Sequence, residues 1–168
     1  MALERPHGRF LAGEAGELVG VSGTTIGQWA RRGYICASRS TGDPHVYSLE
    51  DVAEAWVVHA LLDRGVGHAA VRRTIAALGD GRPWPLLRAP LATAGGDGNG
   101  TPRIVLCEAD GAYALEGRGW QRLAVQGELR SLRPPSALGL LAGPSEAPAP
   151  PRTAAPPPAR TSATARTS

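Results

Sequence analysis

Residues 21–35 read VSGTTIGQWARRGYI, and the reading of this stretch decides the fold. Ser22 is a strong helix N-cap, because its hydroxyl can accept from the first free amides of a new helix. From Thr24 to Arg32 the apolar positions are Ile26, Trp29 and Ala30, spaced three and four apart. That spacing marks one face of a helix. Thr24, Thr25 and Gln28 fall on the other side, Arg31 and Arg32 lie at the end, and Gly33 is a natural C-cap. Taken alone, the stretch is an amphipathic helix with a charged end. Its flanks have to say what the polar face is for.

Immediately before it, AGEAGELV (residues 12–19) predicts a short helix, and Gly20 fits a tight turn. After it, residues 34–47 (YICASRSTGDPHVY) hold two β-compatible pieces, around Ile35–Arg39 and His45–Tyr47. They flank STGDP, a stretch rich in turn-forming residues. This predicts a small hairpin, or wing. SLEDVAEAWVVHALLDRG follows as the clearest helix, with Ser48 as its cap and Glu50 and Asp51 in the first turn, where acid suits the helix dipole. Leu49, Val52, Trp56 and Ala60 make its apolar stripe, and Gly65 ends it. GHAAVRRTIAALGD predicts a fourth helix with Val71, Ile75 and Leu78 on one face and Arg72 and Arg73 elsewhere.

Pro83 and Pro85 forbid a helical continuation. Residues 86–93 read as extended and GGDGNG (95–100) as a flexible loop. RIVLCEADGAYAL reads as two strands joined at Asp110-Gly111. GWQRLAVQGELRSL reads as a final short helix. Residues 134–168 are dominated by Pro, Ala, Ser, Thr and Arg, a composition that predicts a disordered tail. The expected organisation is residues 10–80, 84–132 and 134–168.

The totals narrow the function classes. Gly and Pro number 37 of 168 residues, which fits long loops. Every Lys/Arg-type cation is arginine. Residues 1–80 carry 8 Arg and 9 acidic residues, a net −1, while residues 81–168 carry 10 Arg and 6 acidic residues, a net +4. Any nucleic-acid contact must therefore rest on local patches rather than bulk charge. Cys36 and Cys107 are too few and too far apart for a disulfide framework or a zinc pattern. No apolar run approaches the roughly 20 residues of a membrane span, and MALERPHGRF has no apolar signal core. The expectation is a cytoplasmic protein with no membrane partner.

The order helix, turn, helix, wing, helix, helix resembles the MerR-type winged helix-turn-helix. The residues that carry the likeness are the Gly-Val-Ser turn, Thr25-Ile26, Trp29 and Gly33 before an apolar pair. HVYSLEDV adds the end of the wing and the start of the third helix, and RGVGHAAVRRTIAAL adds the fourth. The resemblance spans residues 10–78. It implies a mainly α fold with a small β part (α+β), a winged helix-turn-helix followed by a short β-hairpin module and the tail. It also implies a sequence-specific transcriptional regulator of bacterial type that binds double-stranded DNA as a homodimer. Thr24, Gly27 and Gln28 stand where the family commonly has an arginine and aromatics, and Pro83 and Pro85 bar the long dimerisation helix of its larger members. HALLDRGVGHAAVRRTIAAL, PLLRAPLAT and EGRGWQRL resemble small MerR-like antitoxins, whose usual partner is a PIN-like ribonuclease toxin.

In a helix-turn-helix the second helix enters the major groove. The DNA-facing set is then Ser22, Thr24, Thr25 and Gln28 at the start of that helix, with Arg31 and Arg32 at its end. Arg39, His45 and Tyr47 join it from the wing, the Tyr47 hydroxyl reaching toward a phosphate. Gln can pair with adenine and Thr can touch a thymine methyl, whereas the arginines suit phosphates. Trp29 reads as core, and Arg72 and Arg73 as backbone contacts or solvated residues. His7, His59 and His68 are isolated and read as structural or solvated. Cys107 reads as a small buried apolar residue. No nucleophile elbow, phosphate loop or zinc-protease motif occurs, so no enzyme activity, metal or cofactor is expected.

Overall fold

The computed structural model describes residues 10–37, 45–79, 81–95, 100–124 and 128–134. The expected tail and Arg39 lie outside these residues, apart from Pro134 at the tail's start.

Helix α1 (Ala12–Val19) and helix α2 (Gly23–Arg31) form the helix-turn-helix. Gly20 makes the turn at φ 91°, a left-handed conformation that glycine adopts without steric cost. Ser22 caps α2 as expected, accepting from the Thr25 amide at 3.1 Å. At the other end Gly33 donates to the Ala30 carbonyl (3.1 Å) and Tyr34 to the Trp29 carbonyl (2.9 Å). This paired closure, with Gly33 at φ 75°, satisfies the last free carbonyls of α2. Ile26 and Trp29 are buried on the inner face.

The wing base differs from the expected hairpin. Val46–Tyr47 (β2) pairs antiparallel with Phe10–Leu11 (β1), in the register Phe10↔Tyr47. Residues 35–37 are not a strand. After the left-handed Gly33 the chain turns inward, and Tyr34 and Ile35 are buried in the core. The rest of the expected hairpin, residues 38–44, lies outside the described residues.

Helix α3 (Leu49–Asp63) is the centre of the molecule. Ser48 and Asp51 form a reciprocal cap: the Asp51 amide donates to Ser48 Oγ (3.1 Å) and the Ser48 amide to Asp51 Oδ2 (2.8 Å). The expected stripe is too narrow. Leu49, Trp56 and Ala60 are half-buried, whereas Asp51, Val52, Ala53, Glu54, Ala55, Val57, Val58 and Leu61 are buried. A helix wrapped on several sides has no single apolar face. Helix α4 (His68–Leu78) follows Gly65 and buries Val71 and Thr74, leaving Arg72 and Arg73 exposed.

Beyond α4 the architecture departs further from expectation. Pro85–Arg88 forms a helical turn, α5, rather than an extended segment. Pro85 sits at its first position, where a missing amide hydrogen costs nothing. Trp84 before it is left-handed (φ 56°), the single described non-glycine residue with positive φ. Five antiparallel strands then form a sheet: β3 (Leu91–Ala94), β4 (Arg103–Glu108), β5 (Gly111–Glu116), β6 (Gly119–Arg122) and β7 (Leu129–Ser131), in the order β6-β5-β4-β3-β7. The β4–β5 hairpin exists, but Glu108 pairs with Gly111, so its loop is Ala109-Asp110, one residue earlier than expected. The expected helix over residues 119–132 is instead β6 and β7. Trp120 lies opposite Leu115, and Leu129–Ser131 completes a ladder with β3.

One core runs through both halves. Ile26, Trp29, Val52, Val58, Leu61 and Val71 from the helices join Leu86, Leu91, Ile104 and Leu132 from α5 and the sheet region. Arg64, at the end of α3, ties the sheet on by donating to Thr93 Oγ1 (3.1 Å) and to the carbonyls of Arg130 (2.9 Å) and Ser131 (3.1 Å). Two acids of α3 hold the connection. Asp51 Oδ1 accepts from Trp84 Nε1 (2.8 Å), and Glu54 accepts from the amides of Leu86 (3.0 Å) and Leu87 (2.6 Å).

Candidate nucleic-acid interface

Thr24, Gln28, Arg31 and Arg32 are all exposed. Their spacing of four, three and four residues puts Thr24, Gln28 and the two arginines on one stripe of α2 and its C-terminal cap. Ile26 and Trp29 anchor the opposite face. At 1.5 Å per residue the stripe is about 12 Å long, close to the width of a DNA major groove. The side chains of Thr24 and Gln28 have no hydrogen-bond partner among the described residues, so their donors and acceptors are available to a ligand.

Ser22 and Thr25 are placed differently. Ser22 Oγ accepts from the Thr25 amide and also lies 2.9 Å from Thr25 Oγ1. Both hydroxyls therefore serve the cap first, and Thr25 is half-buried. His45 is exposed beside β2.

Tyr47 corrects the expectation. The residue is 1% exposed, and its hydroxyl is buried with no hydrogen-bond partner among the described residues. Burial, and then the nearby Asp51 carboxylate, push its pKa up. A phosphate cannot reach that oxygen, so Tyr47 is a core residue. Tyr47→Phe removes an unsatisfied buried hydroxyl, which carries a desolvation cost. The expected result is a melting temperature equal to or above the parent's, with DNA affinity unchanged in a gel-shift titration. A tenfold loss of DNA affinity would restore the hydroxyl as a contact.

His68, read from the sequence as structural or solvated, has partners that sequence reasoning missed. It stands at the first position of α4, with Nδ1 3.3 Å from the Tyr34 hydroxyl and 3.5 Å from Arg32 Nη1. Its ring stacks on Tyr34 at 5.8 Å between centroids and 23° between planes. The end of α2 is thus tied to the start of α4, and Arg32 is restrained on the stripe. No local signal could reveal a pair 36 residues apart.

Among the described residues no group of three or more His, Cys, Asp or Glu side chains could hold a metal ion. Cys107 is half-buried on β4, where burial raises its thiol pKa, and Cys36 is exposed. No described helix is long and apolar enough to cross a membrane.

A capped second helix, a glycine turn, an inward apolar face and an outward polar stripe define a helix-turn-helix module of the DNA-binding class. Residues 11–78 match the family described as MerR HTH family regulatory protein. They form a MerR-type helix-turn-helix domain, the domain of a DNA-binding transcription regulator. No curated protein and no solved structure matches the chain.

Proposed function

We propose that the protein is a sequence-specific transcriptional regulator that binds double-stranded DNA as a homodimer and carries out no catalytic step. The observation that supports this reading is the exposed Thr24–Gln28–Arg31–Arg32 stripe on the second helix of the family-matched segment. In this reading Gln28 and Thr24 read base edges. Arg31, Arg32 and Arg39 contact phosphates and fix the register without reading sequence. His45 adds a wing contact. One short helix touches few bases, so two copies on a pseudo-palindrome supply the specificity. Such a regulator works in the cytoplasm.

The test is titration of the purified full chain against its own upstream DNA at two salt concentrations. Gln28→Ala is expected to cost about 1–3 kcal/mol on the selected sequence and much less on random DNA. Arg32→Ala and Arg39→Ala are expected to weaken all sequences alike, each lowering the salt slope by about one. Equal loss by Gln28→Ala on both DNAs would sink the base-reading role. Absence of selective binding by the parent protein would sink the regulator reading.

A second reading is an antitoxin that represses its own operon and neutralises a PIN-like ribonuclease. It is supported by the sheet, whose terminal strands β6 and β7 each pair on one side only among the described residues. Open strand edges and an adjoining groove suit a protein partner.

A further inference from the structure

Between α4 and the sheet lies an open groove of about 1270 Å³, lined from α3's end, α4 and strands β3, β4, β5 and β7. No residue of α2 lines it. We infer that this groove is a docking site for an acidic, extended peptide segment of a partner protein. The inference deepens the antitoxin reading, because it names the chemistry that the sheet would recognise; it does not depend on the DNA contacts of α2.

Charge carries the argument. Arg64, Arg73, Arg103 and Arg130 line the groove, against Glu116 and Glu128. Arg103 and Glu116 engage each other at 3.7 Å. Arg64 is held by a hydroxyl and two carbonyls, with no carboxylate among the described residues to balance its charge. Arg73 and Arg130 are exposed and have no carboxylate partner among the described residues. The groove therefore offers uncompensated guanidinium groups on both walls, one from α4 and one from β7. Guanidinium forks match carboxylates in geometry as well as charge.

Size and lining set the class of ligand. Small-molecule pockets usually measure about 300–1000 Å³ and enclose their ligand. This groove is larger and open. Ile104 and Leu115 line it together with the arginines. An extended chain with acidic and apolar side chains in alternation would meet both kinds of wall, since successive side chains point opposite ways.

The test uses the full chain and a fluorescein-labelled nonapeptide of alternating Glu and Leu, followed by fluorescence anisotropy. A peptide with Gln in place of Glu and free citrate are run beside it. The Glu peptide is expected to bind at least tenfold tighter than the Gln peptide, and binding is expected to weaken as salt rises. The double variant Arg73→Gln/Arg130→Gln is expected to lose at least tenfold for the Glu peptide. Both side chains are exposed, so the variant keeps its melting temperature. Equal binding of the two peptides, undiminished binding by the double variant, or competition by citrate as strong as by the peptide would each overturn the proposal. A full-length protein partner that binds the double variant as tightly as the parent would leave the antitoxin reading standing and overturn the groove as its site.

Discussion

Glu54→Ala is expected to destabilise the protein by about 2–4 kcal/mol at pH 5, with the loss centred on Pro85–Arg88. Glu54 is 1% exposed, yet it sits on the face of α3 that receives α5. Its two oxygens accept the amides of Leu86 and Leu87, the first free donors of α5. Truncation leaves both amides without a partner, and an unsatisfied buried donor costs about 1–3 kcal/mol. The opposing effect is relief from burying a carboxyl group. Burial raises the Glu54 pKa from 4.5 to about 7; the two amide bonds pull it down, and the nearby Asp51 pushes it up. Because the folded pKa lies above the unfolded one, the carboxyl's contribution is fully present below pH 4.5. It is lost as pH rises through about 7, a change of about 3 kcal/mol. The cost of Glu54→Ala should therefore shrink by about that amount between pH 5 and pH 8. Urea unfolding of the parent, Glu54→Ala and Glu54→Gln across this range measures it. Hydrogen exchange at Leu86 and Leu87 shows whether the segment loosens before the whole. A pH-independent gap between parent and Glu54→Gln would sink the assignment of this slope to Glu54.

The four long helices were readable because their signals are local. Ser22 and Ser48 announce their helices by caps that reach three residues ahead, and Gly20, Gly33 and Gly65 mark the ends. The exposed stripe of α2 follows from the same 3.6-residue period that identifies Ile26 and Trp29 as core. What stayed hidden depends on distant partners. Tyr47 lies on a two-residue strand, and its burial depends on β1, whose Phe10 lies 37 residues earlier in the paired register. Gly119–Arg122 and Leu129–Ser131 alternate too weakly to declare strands, and they become strands because β5 and β3 supply their ladders. Glu54 looks like any polar residue in a helix. It is buried because Pro85 starts a second helix end beside it, and a helix N-terminus attracts a carboxylate. The resemblance to winged helix-turn-helix proteins reached residue 78, and beyond it the local pattern showed the β4–β5 hairpin but not the other three strands of the sheet.

Gly16→Ala is expected to weaken both folding and DNA binding, although alanine is the better helix former. A Cβ at Gly16 would lie 2.5 Å from the Val21 carbonyl oxygen and 3.0 Å from the Gly23 amide nitrogen. The contact is mutual: a Cβ at Gly23 would lie 2.9 Å from the Gly13 nitrogen. Helices α1 and α2 thus meet through bare backbone, and backbone atoms cannot rotate aside as a flexible side chain would. Helix propensity favours the substitution by about 1 kcal/mol at most. Overpacking typically costs about 1–3 kcal/mol and more where rigid atoms collide, so the steric effect wins. Relieving the clash means moving the turn at Val21 and Ser22, which displaces the cap of α2 and the Thr24–Gln28 stripe with it. Gly13→Ala is the matched comparison on the same helix. It meets nothing within 4 Å and is expected to stabilise by about 0.5–1 kcal/mol. Thermal unfolding should order the proteins Gly13→Ala, parent, Gly16→Ala from most to least stable, with at least tenfold weaker binding of Gly16→Ala to the selected DNA. If Gly16→Ala proves as stable as Gly13→Ala, the two helices do not cross at the distance that fixes the orientation of α2.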